Sequence, residues 1–338
     1  MKFVRYQMEN AGERLGILNE EESWVYPLTA FGMEYETMED LIKKISREDM
    51  QRLSACVYCP ADQIEGAVRI ADQSKGAVQS ADQRKGTVRI ADQSKGVAQM
   101  DDRNAGKEAM KGAVLLAPIA RPQQDIICLG INYMDHAEES ARFKKEKFSG
   151  ERPFAVYFSK RVNQAVNPWE GIESHQDIVD SLDYEAELAV IIGKDAKNVP
   201  KEQAREYVFG YTIINDVSAR NIQNRHKQWY FGKSLDGFLP MGPCIVTADS
   251  IPYPPRLSIQ SFVNGERRQD SNTKHLIFTI DHVIHELSQG MTLKAGTIIS
   301  MGTPSGVGMG FDPPKFLVPG DCVECRIEGV GRLINPVV

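Results

Sequence analysis

The pattern of apolar and polar positions from residue 113 onward is typical of a strand-rich protein. Apolar runs of four to seven residues alternate with Gly, Pro, Asn and Asp, which commonly end strands. Helical periodicity interrupts these runs at residues 218–228 and 279–290. Strands and helices do not alternate as a doubly wound parallel sheet would require. The pattern therefore predicts an α+β fold with a large curled sheet.

The first sixty residues carry a different pattern, which predicts a small N-terminal α/β domain at residues 1–60. A helix is predicted over residues 37–53, with Thr37 as N-cap and Asp40 three positions later. Three strand-like segments come before it, at residues 2–7, 14–20 and 22–28.

Residues 61–112 contain a repeat of ten residues, in which the tripeptide ADQ begins at positions 61, 71, 81 and 91. Ten residues advance a helix by about 1000°, so successive copies rotate by about 80° and no apolar stripe persists. A small β-solenoid is the alternative, but each copy offers few apolar side chains for a stacked core. We predict a mobile, solvated insertion here and a catalytic domain at residues 113–338.

Composition and charge narrow the class of protein. The chain has 338 residues, a formal net charge of −6 and a pI near 5.7, which argues against a general nucleic-acid binder. No apolar run reaches the length of a membrane span, and the first residues lack the apolar core of a signal peptide. We therefore expect a cytoplasmic protein without membrane or nucleic-acid partners.

The six cysteines include two CxxC pairs, Cys56 with Cys59 and Cys322 with Cys325. Together the pairs could close one zinc site. The second pair, however, falls in a predicted strand, where positions three apart face opposite sides. We therefore predict free, reduced cysteines, which suit the cytosol.

Carboxylates gather where two predicted core strands end. Alternation along residues 181–193 places Asp183, Glu185 and Glu187 on one face, and Asp216 closes another apolar run. Glu185, Glu187 and Asp216 would suit Mg²⁺ or Mn²⁺, which prefer oxygen ligands. The alternative is a set of acids at a sheet edge that are solvated or paired with arginine. Asp183 is expected to orient a ligand or a lysine instead of binding the ion.

Three further segments contain candidates for chemistry. His136 and Glu139 lie three apart and would share a face if the segment is helical, which would make a general base. Lys233 lies among aromatic residues and glycines, and Thr303 lies in a glycine-rich turn whose N–H groups could approach an anion. The alternatives are a surface histidine, a solvated lysine and an ordinary tight turn.

Several long motifs make the chain similar to one known family. In order along residues 113–338, the segments that resemble the fumarylacetoacetate hydrolase family are 126–139, 182–194, 209–220, 232–243 and 290–310. Residues 1–60 resemble the small leading domain of its bacterial members, whereas the repeats match nothing in the family pattern. The resemblance implies a C-terminal mixed β-sandwich roll and a homodimer.

The resemblance also implies roles for individual residues. Mg²⁺ or Mn²⁺ would be bound by Glu185, Glu187 and Asp216. The implied catalytic residues are His136, Glu139 and Lys233, the implied substrate-binding residues are Asn132, Arg220, Gly302 and Thr303, and the implied lid is residues 141–153.

The activity that the resemblance implies is metal-dependent C–C bond cleavage in a 2-oxo dicarboxylic or acylpyruvate-type acid, through a stabilised enolate. Oxaloacetate decarboxylase and acylpyruvate hydrolase are the first expectations. The alternative within the family is 2-hydroxyhepta-2,4-diene-1,7-dioate isomerase or 5-oxopent-3-ene-1,2,5-tricarboxylate decarboxylase. A non-catalytic metal-binding scaffold is the alternative from another class.

Overall fold

The structure is a computed structural model that describes residues 1–9, 11–73, 112–145, 147, 150 and 153–338. Its α-helices are α1 (Met38–Lys44), α2 (Arg47–Cys56), α3 (Met134–Lys144), α4 (Arg220–Arg225), α5 (Tyr230–Lys233) and α6 (Ile280–Gly290). Its strands up to the middle of the chain are β1 (Lys2–Gln7), β2 (Glu13–Leu18), β3 (Trp24–Pro27), β4 (Val68–Arg69), β5 (Val114–Leu116), β6 (Ile126–Gly130), β7 (Val156–Lys160), β8 (Leu182–Asp183) and β9 (Ala186–Ile192). The remaining strands are β10 (Val208–Asn215), β11 (Ser218–Ala219), β12 (Met241–Thr247), β13 (Ser258–Val263), β14 (Glu266–Asn272), β15 (Ile298–Ser300), β16 (Cys322–Ile327) and β17 (Gly331–Pro336).

Most strands belong to one large mixed sheet with the order β4-β3-β2-β1-β12-β10-β9-β15-β6-β7, in which β5 also pairs with β1. The pair β15–β6 is parallel and its neighbours are antiparallel. A second sheet with the order β14-β13-β16-β17 contacts strands β9, β10 and β12. The predicted strand-rich α+β fold is confirmed.

Strand β9 occupies the centre of the large sheet and is buried on both faces. Leu188, Val190 and Ile192 enter a core shared with β13 and β16, while Ala189 and Ile191 enter a core shared with helices α1 and α2. Side chains alternate between the faces of a strand, so one short apolar run contributes to both cores. The prediction of a central strand is confirmed.

The N-terminal residues share the large sheet with the C-terminal part of the chain, because β1 pairs with β12. Residues 68–69 add a strand beside β3, and the Gln73 side chain hydrogen-bonds the backbone of Leu115. The predicted insertion at 61–112 therefore begins inside the sheet. Residues 74–111 lie outside the described residues, as does part of the predicted lid at 141–153, whose first residues belong to α3.

Three predicted elements have other bounds in the structure. The single helix over 37–53 is wrong, because Ser46 accepts a hydrogen bond from the Asp49 N–H and begins a second helix. The cap by Thr37 on the Asp40 N–H is confirmed. The helix predicted at 218–228 is shorter, and the strand predicted at 181–193 is divided into β8 and β9.

Two findings concern the remaining expectations from sequence. Cys322 and Cys325 lie in strand β16, as predicted, and Cys325 is buried whereas Cys322 is partly exposed. None of the helices in the described part of the chain is long and apolar enough to cross a membrane.

Phe3 tests whether β1 is an integral part of the sheet. Its side chain is fully buried and stacks on Phe209 of β10 at a centroid distance of 5.9 Å. Phe3→Ala should lower the free energy of unfolding by about 3–5 kcal/mol, because it leaves a cavity. Urea denaturation measures this loss. The control Tyr58→Ala removes a ring that is 69% exposed and should change stability by less than about 0.5 kcal/mol. Equal stability of both variants would contradict an integral β1.

Candidate active site

Pairing of two central strands brings three carboxylates together. Strands β9 and β10 are antiparallel, so the start of β9 lies beside the end of β10. The Asp216 N–H donates to the Glu185 carbonyl at 2.8 Å, and the Glu185 N–H donates to Asn215 Oδ1 at 2.9 Å. Carboxylate oxygens of Glu185, Glu187 and Asp216 all lie within 4.8 Å of one another, and the three residues are buried.

Two buried lysines offset part of this negative charge. The Lys233 ammonium lies between Glu185 Oε2, at 2.6 Å, and Asp216 Oδ2, at 2.7 Å. Lys160 donates to Asp216 Oδ1 at 2.6 Å and to the Val217 carbonyl at 2.9 Å. Asp216 therefore has a lysine on each carboxylate oxygen.

Arg220 joins the carboxylate group to Asp183. Its guanidinium contacts Glu185 Oε1 at 2.6 Å and Asp183 Oδ2 at 2.9 Å. Asp183 also accepts hydrogen bonds from the N–H groups of Gly308 and Met309, at 2.6 and 3.0 Å. The sequence led us to expect Asp183 beside a ligand or a lysine, whereas its side chain pairs with an arginine. Asp183 lies outside the group of three.

Glu187 differs from its neighbours because it forms no ion pair with a lysine or arginine of the described residues. Ser300 Oγ donates to its Oε2 at 2.6 Å, and the Gly302 N–H donates to the same oxygen at 2.9 Å. Burial, then the charges of Asp216 and Glu185, raise the pKa of Glu187 well above its usual value. Burial alone would also raise the pKa of Glu185, but Lys233 and Arg220 lower it.

The charges of the cluster leave room for a further cation. With all groups ionised, four buried carboxylates (Asp183, Glu185, Glu187 and Asp216) face three buried cations (Lys160, Arg220 and Lys233), which leaves one negative charge in excess. All the candidate donor atoms are oxygens, which Mg²⁺ and Mn²⁺ prefer. The three predicted ligands could therefore hold a divalent ion.

The predicted His136–Glu139 pair lies on helix α3. His136 Nδ1 is 3.0 Å from Glu139 Oε2, and both side chains are buried. A carboxylate at Nδ1 favours the tautomer with its proton there, which leaves Nε2 free to accept a proton. The Gly306 N–H donates to Glu139 Oε1 at 2.9 Å, and Ser305 Oγ donates to Asp135 Oδ2 at 2.8 Å.

The glycine-rich turn, residues 302–310, supports the carboxylates and the histidine together. Gly302 and Gly306 have φ angles of 88° and 99°, which favour glycine. Gly310 has no room for a side chain, because an added Cβ would overlap the Glu139 carboxylate. Thr303 Oγ1 donates to the Ala186 carbonyl at 2.9 Å, which attaches the turn to the start of β9.

One pocket brings most of the predicted residues together. Its polar lining includes His136, Glu185, Glu187, Arg220, Lys233 and Thr303. Glu139 contacts the pocket through His136, and Asp216 contacts it through Lys233. Asn132 and Gly302 do not line it. The Asn132 amide instead bonds the backbone of Phe278 and Met301, so it connects the turn to the chain before α6.

The chain is similar in sequence and fold to known proteins. Residues 125–338 match the family model described as the fumarylacetoacetate hydrolase C-terminal region. The chain belongs to the fumarylacetoacetate hydrolase family. The pocket is therefore a candidate active site for an enzyme of this family.

Similar proteins include oxaloacetate tautomerase YisK of Bacillus subtilis, which is 48% identical over 223 residues, or 66% of this chain and 72% of the relative. The solved structure of a fumarylacetoacetate hydrolase from Exiguobacterium antarcticum is 33% identical, with a TM-score of 0.70 over 100% of this chain and 99% of that one. Maleylpyruvate hydrolase from Sphingobium sp. SYK-6 is 25% identical, with a TM-score of 0.67 over the same shares.

Two residues at the site, Lys160 and Gln223, were not predicted from the sequence. Lys160 closes the apolar strand β7, and a lysine at that position resembles a solvated strand end until the partner strand is known. Gln223 lies one helical turn after Arg220, accepts a hydrogen bond from it at 3.0 Å and lines the pocket. Its spacing of three residues from Arg220 was the available signal.

Lys160 can be tested by its effect on stability. Lys160→Met should lower the free energy of unfolding on the order of 3 kcal/mol, because a buried carboxylate loses one of its partners. The matched control is Lys194→Met, whose side chain is 53% exposed and whose contact with Glu206 spans 3.7 Å. Urea denaturation of both variants measures the difference. A Lys160→Met variant as stable as the control would show that Lys233 alone neutralises Asp216.

Proposed function

We propose that this enzyme uses Mg²⁺ or Mn²⁺ to convert an oxaloacetate-like 2-oxo acid, and that its central step is keto–enol proton transfer beside the 2-oxo group. The observation that carries the proposal is the pairing of three buried carboxylates with the His136–Glu139 dyad at one pocket. The 48% identity with an enzyme named oxaloacetate tautomerase supports the substrate and the step.

Glu185, Glu187 and Asp216 would hold the ion. Of the three carboxylates, that of Glu187 has no lysine or arginine partner among the described side chains. A bound divalent ion supplies Lewis-acid stabilisation of the negative charge that develops on the 2-oxo oxygen. Lys233 would share Glu185 and Asp216 with the ion, so its position fixes both carboxylates.

His136 would act as the base in this mechanism. Its Nε2 accepts the proton from the carbon next to the 2-oxo group, while Glu139 stabilises the resulting imidazolium through Nδ1. Transfer of that proton to the oxygen of the 2-oxo group gives the enol and completes the tautomerisation, and the reverse transfer, from the enol oxygen to the carbon, gives the keto form. Arg220 and Thr303 line the same pocket and remain our predicted contacts to the substrate carboxylates.

Cleavage reactions that form the same kind of enolate remain predictions. Loss of CO₂ from the keto form of oxaloacetate leaves the enolate of pyruvate, which is decarboxylation. Attack of water on the acyl carbonyl of an acylpyruvate releases a carboxylic acid and the same enolate, which is hydrolysis. A similar structure, that of a 2-hydroxyhepta-2,4-diene-1,7-dioate isomerase from Mycobacterium marinum, supports the isomerase alternative; it is 25% identical with a TM-score of 0.60. A scaffold without catalysis would not need a buried histidine–glutamate pair at the pocket. The homodimer and the cytoplasmic location also stay predictions.

Metal dependence is the first test of this function. Chelation should abolish enolisation of oxaloacetate, measured by ultraviolet absorbance of the enol after subtraction of the spontaneous rate, and added Mg²⁺ or Mn²⁺ should restore it. Glu187→Gln should raise the metal concentration needed for half-maximal activity at least about tenfold, because an anionic ligand is lost. The control is Glu206→Gln, whose side chain is 65% exposed. Full turnover by metal-free enzyme would refute the mechanism.

Two substitutions test whether His136 is the base, one at the histidine itself and one that acts through its partner Glu139. His136→Ala should lower kcat by about 10²–10⁴-fold with little change in metal affinity, because the base acts in the transition state. Gly310→Ala should lower kcat by about 10–100-fold, because its Cβ displaces Glu139. Gly290→Ala is the matched control, since nothing lies within 4 Å of an added Cβ there. Unchanged kcat in His136→Ala would remove His136 from the mechanism.

A further inference from the structure

One side of the pocket is an aromatic wall, formed by Phe158 of β7 and Trp229. The rings meet edge to face, with centroids 5.3 Å apart and planes at 69°. The Trp229 ring also covers Gly130 so closely that a Cβ at residue 130 would overlap it. The wall therefore requires a glycine at the end of β6.

This wall has a fixed position relative to the charged end of the pocket. The Lys233 N–H donates to the Trp229 carbonyl at 3.1 Å, so the two residues lie on one helical turn. The Lys233 ammonium lies 5.3 Å from the centre of the Phe158 ring. A continuous path of contacts thus leads from Glu185 and Asp216 through Lys233 to Phe158 and Trp229.

We infer that Trp229 is a specificity-determining residue, which limits the length of the acid beyond the reacting carbon. The inference rests on the proposed function, because it takes the 2-oxo end of the substrate to lie at the carboxylates. A four-carbon dicarboxylic acid then ends beside Lys233, whereas a longer acyl group meets the indole. Protein interiors are close-packed, so a ring held between Phe158 and Gly130 yields little space.

The test compares enolisation of oxaloacetate with that of benzoylpyruvate, an acid with a bulky acyl group. Wild-type enzyme should prefer oxaloacetate, and Trp229→Ala should raise the benzoylpyruvate/oxaloacetate ratio of kcat/KM at least about tenfold, the usual range for steric discrimination in an apolar pocket. The matched control is Tyr230→Ala, which removes the neighbouring ring; this ring is 41% exposed and does not line the pocket. A ratio that stays at the wild-type value in Trp229→Ala overturns the inference.

A double-mutant cycle tests the contact itself and serves if Trp229→Ala alone is unstable. Gly130→Ala should lower kcat/KM for oxaloacetate, because the new Cβ pushes the indole into the pocket. In the double variant Gly130→Ala/Trp229→Ala this loss should disappear, since the two sites are in contact and their effects are not additive. A loss of the same size with and without the indole would mean that Trp229 does not transmit it.

Ligand binding separates this inference from the proposed function. With Mg²⁺ present, oxalate should raise the thermal midpoint of wild type and Trp229→Ala alike, whereas benzoylpyruvate should raise only that of the variant. Equal turnover of both acids by wild type would overturn the inference about Trp229 and leave the proposed function intact. If neither acid is enolised, the proposed function fails, and the thermal shifts alone then show whether Trp229 excludes the bulkier acid.

Discussion

The burial of Glu185, Glu187 and Asp216 beside one another is the constraint on which the site depends. Each carboxylate would be stable in water, but together and buried they repel, and each loses hydration. The surrounding chain offsets this cost with Lys160, Arg220 and Lys233, all of them buried. Glu187 has no lysine or arginine partner among the described residues, and its burial and the charges of Asp216 and Glu185 raise its pKa.

The same constraint determines how distant segments meet. Asp183 neutralises the far side of Arg220 and holds the glycine-rich turn through two N–H groups. That turn in turn donates to Glu139, which orients the histidine ring. The carboxylates and the dyad therefore have one common support, residues 302–310. A change in the turn is expected to disturb the proposed ion ligands and the proposed base at once, so the effects of substitutions at the two on rate should not be additive.

Most of the fold was predictable from the sequence, because its strands and helices follow from local patterns of apolar residues and caps. The double-sided apolar run of β9, the Thr37 cap and the helix Ile280–Gly290 all have unambiguous periodicity or capping residues. The interruption at Ser46 was not predicted, because apolar spacing continues across it. Strand β14 was missed since it is a largely polar edge strand.

Within the site, the sequence suggested the acids and the dyad, but the family resemblance was needed to join them. The places of Lys160 and Trp229 in the site follow only from contacts between residues distant in sequence.

A buried ionic cluster is a costly way to fill a core, because apolar side chains of similar volume are often as stabilising. Its position at a pocket, with the carboxyl pKa lowered at Glu185 and raised at Glu187 two residues later, is typical of a functional site. A metal-binding scaffold would account for the three carboxylates alone. It would not account for His136, which is buried, oriented by Glu139 and directed to the same pocket. The histidine–glutamate pair is therefore the feature of this chain that favours an enzyme over a scaffold.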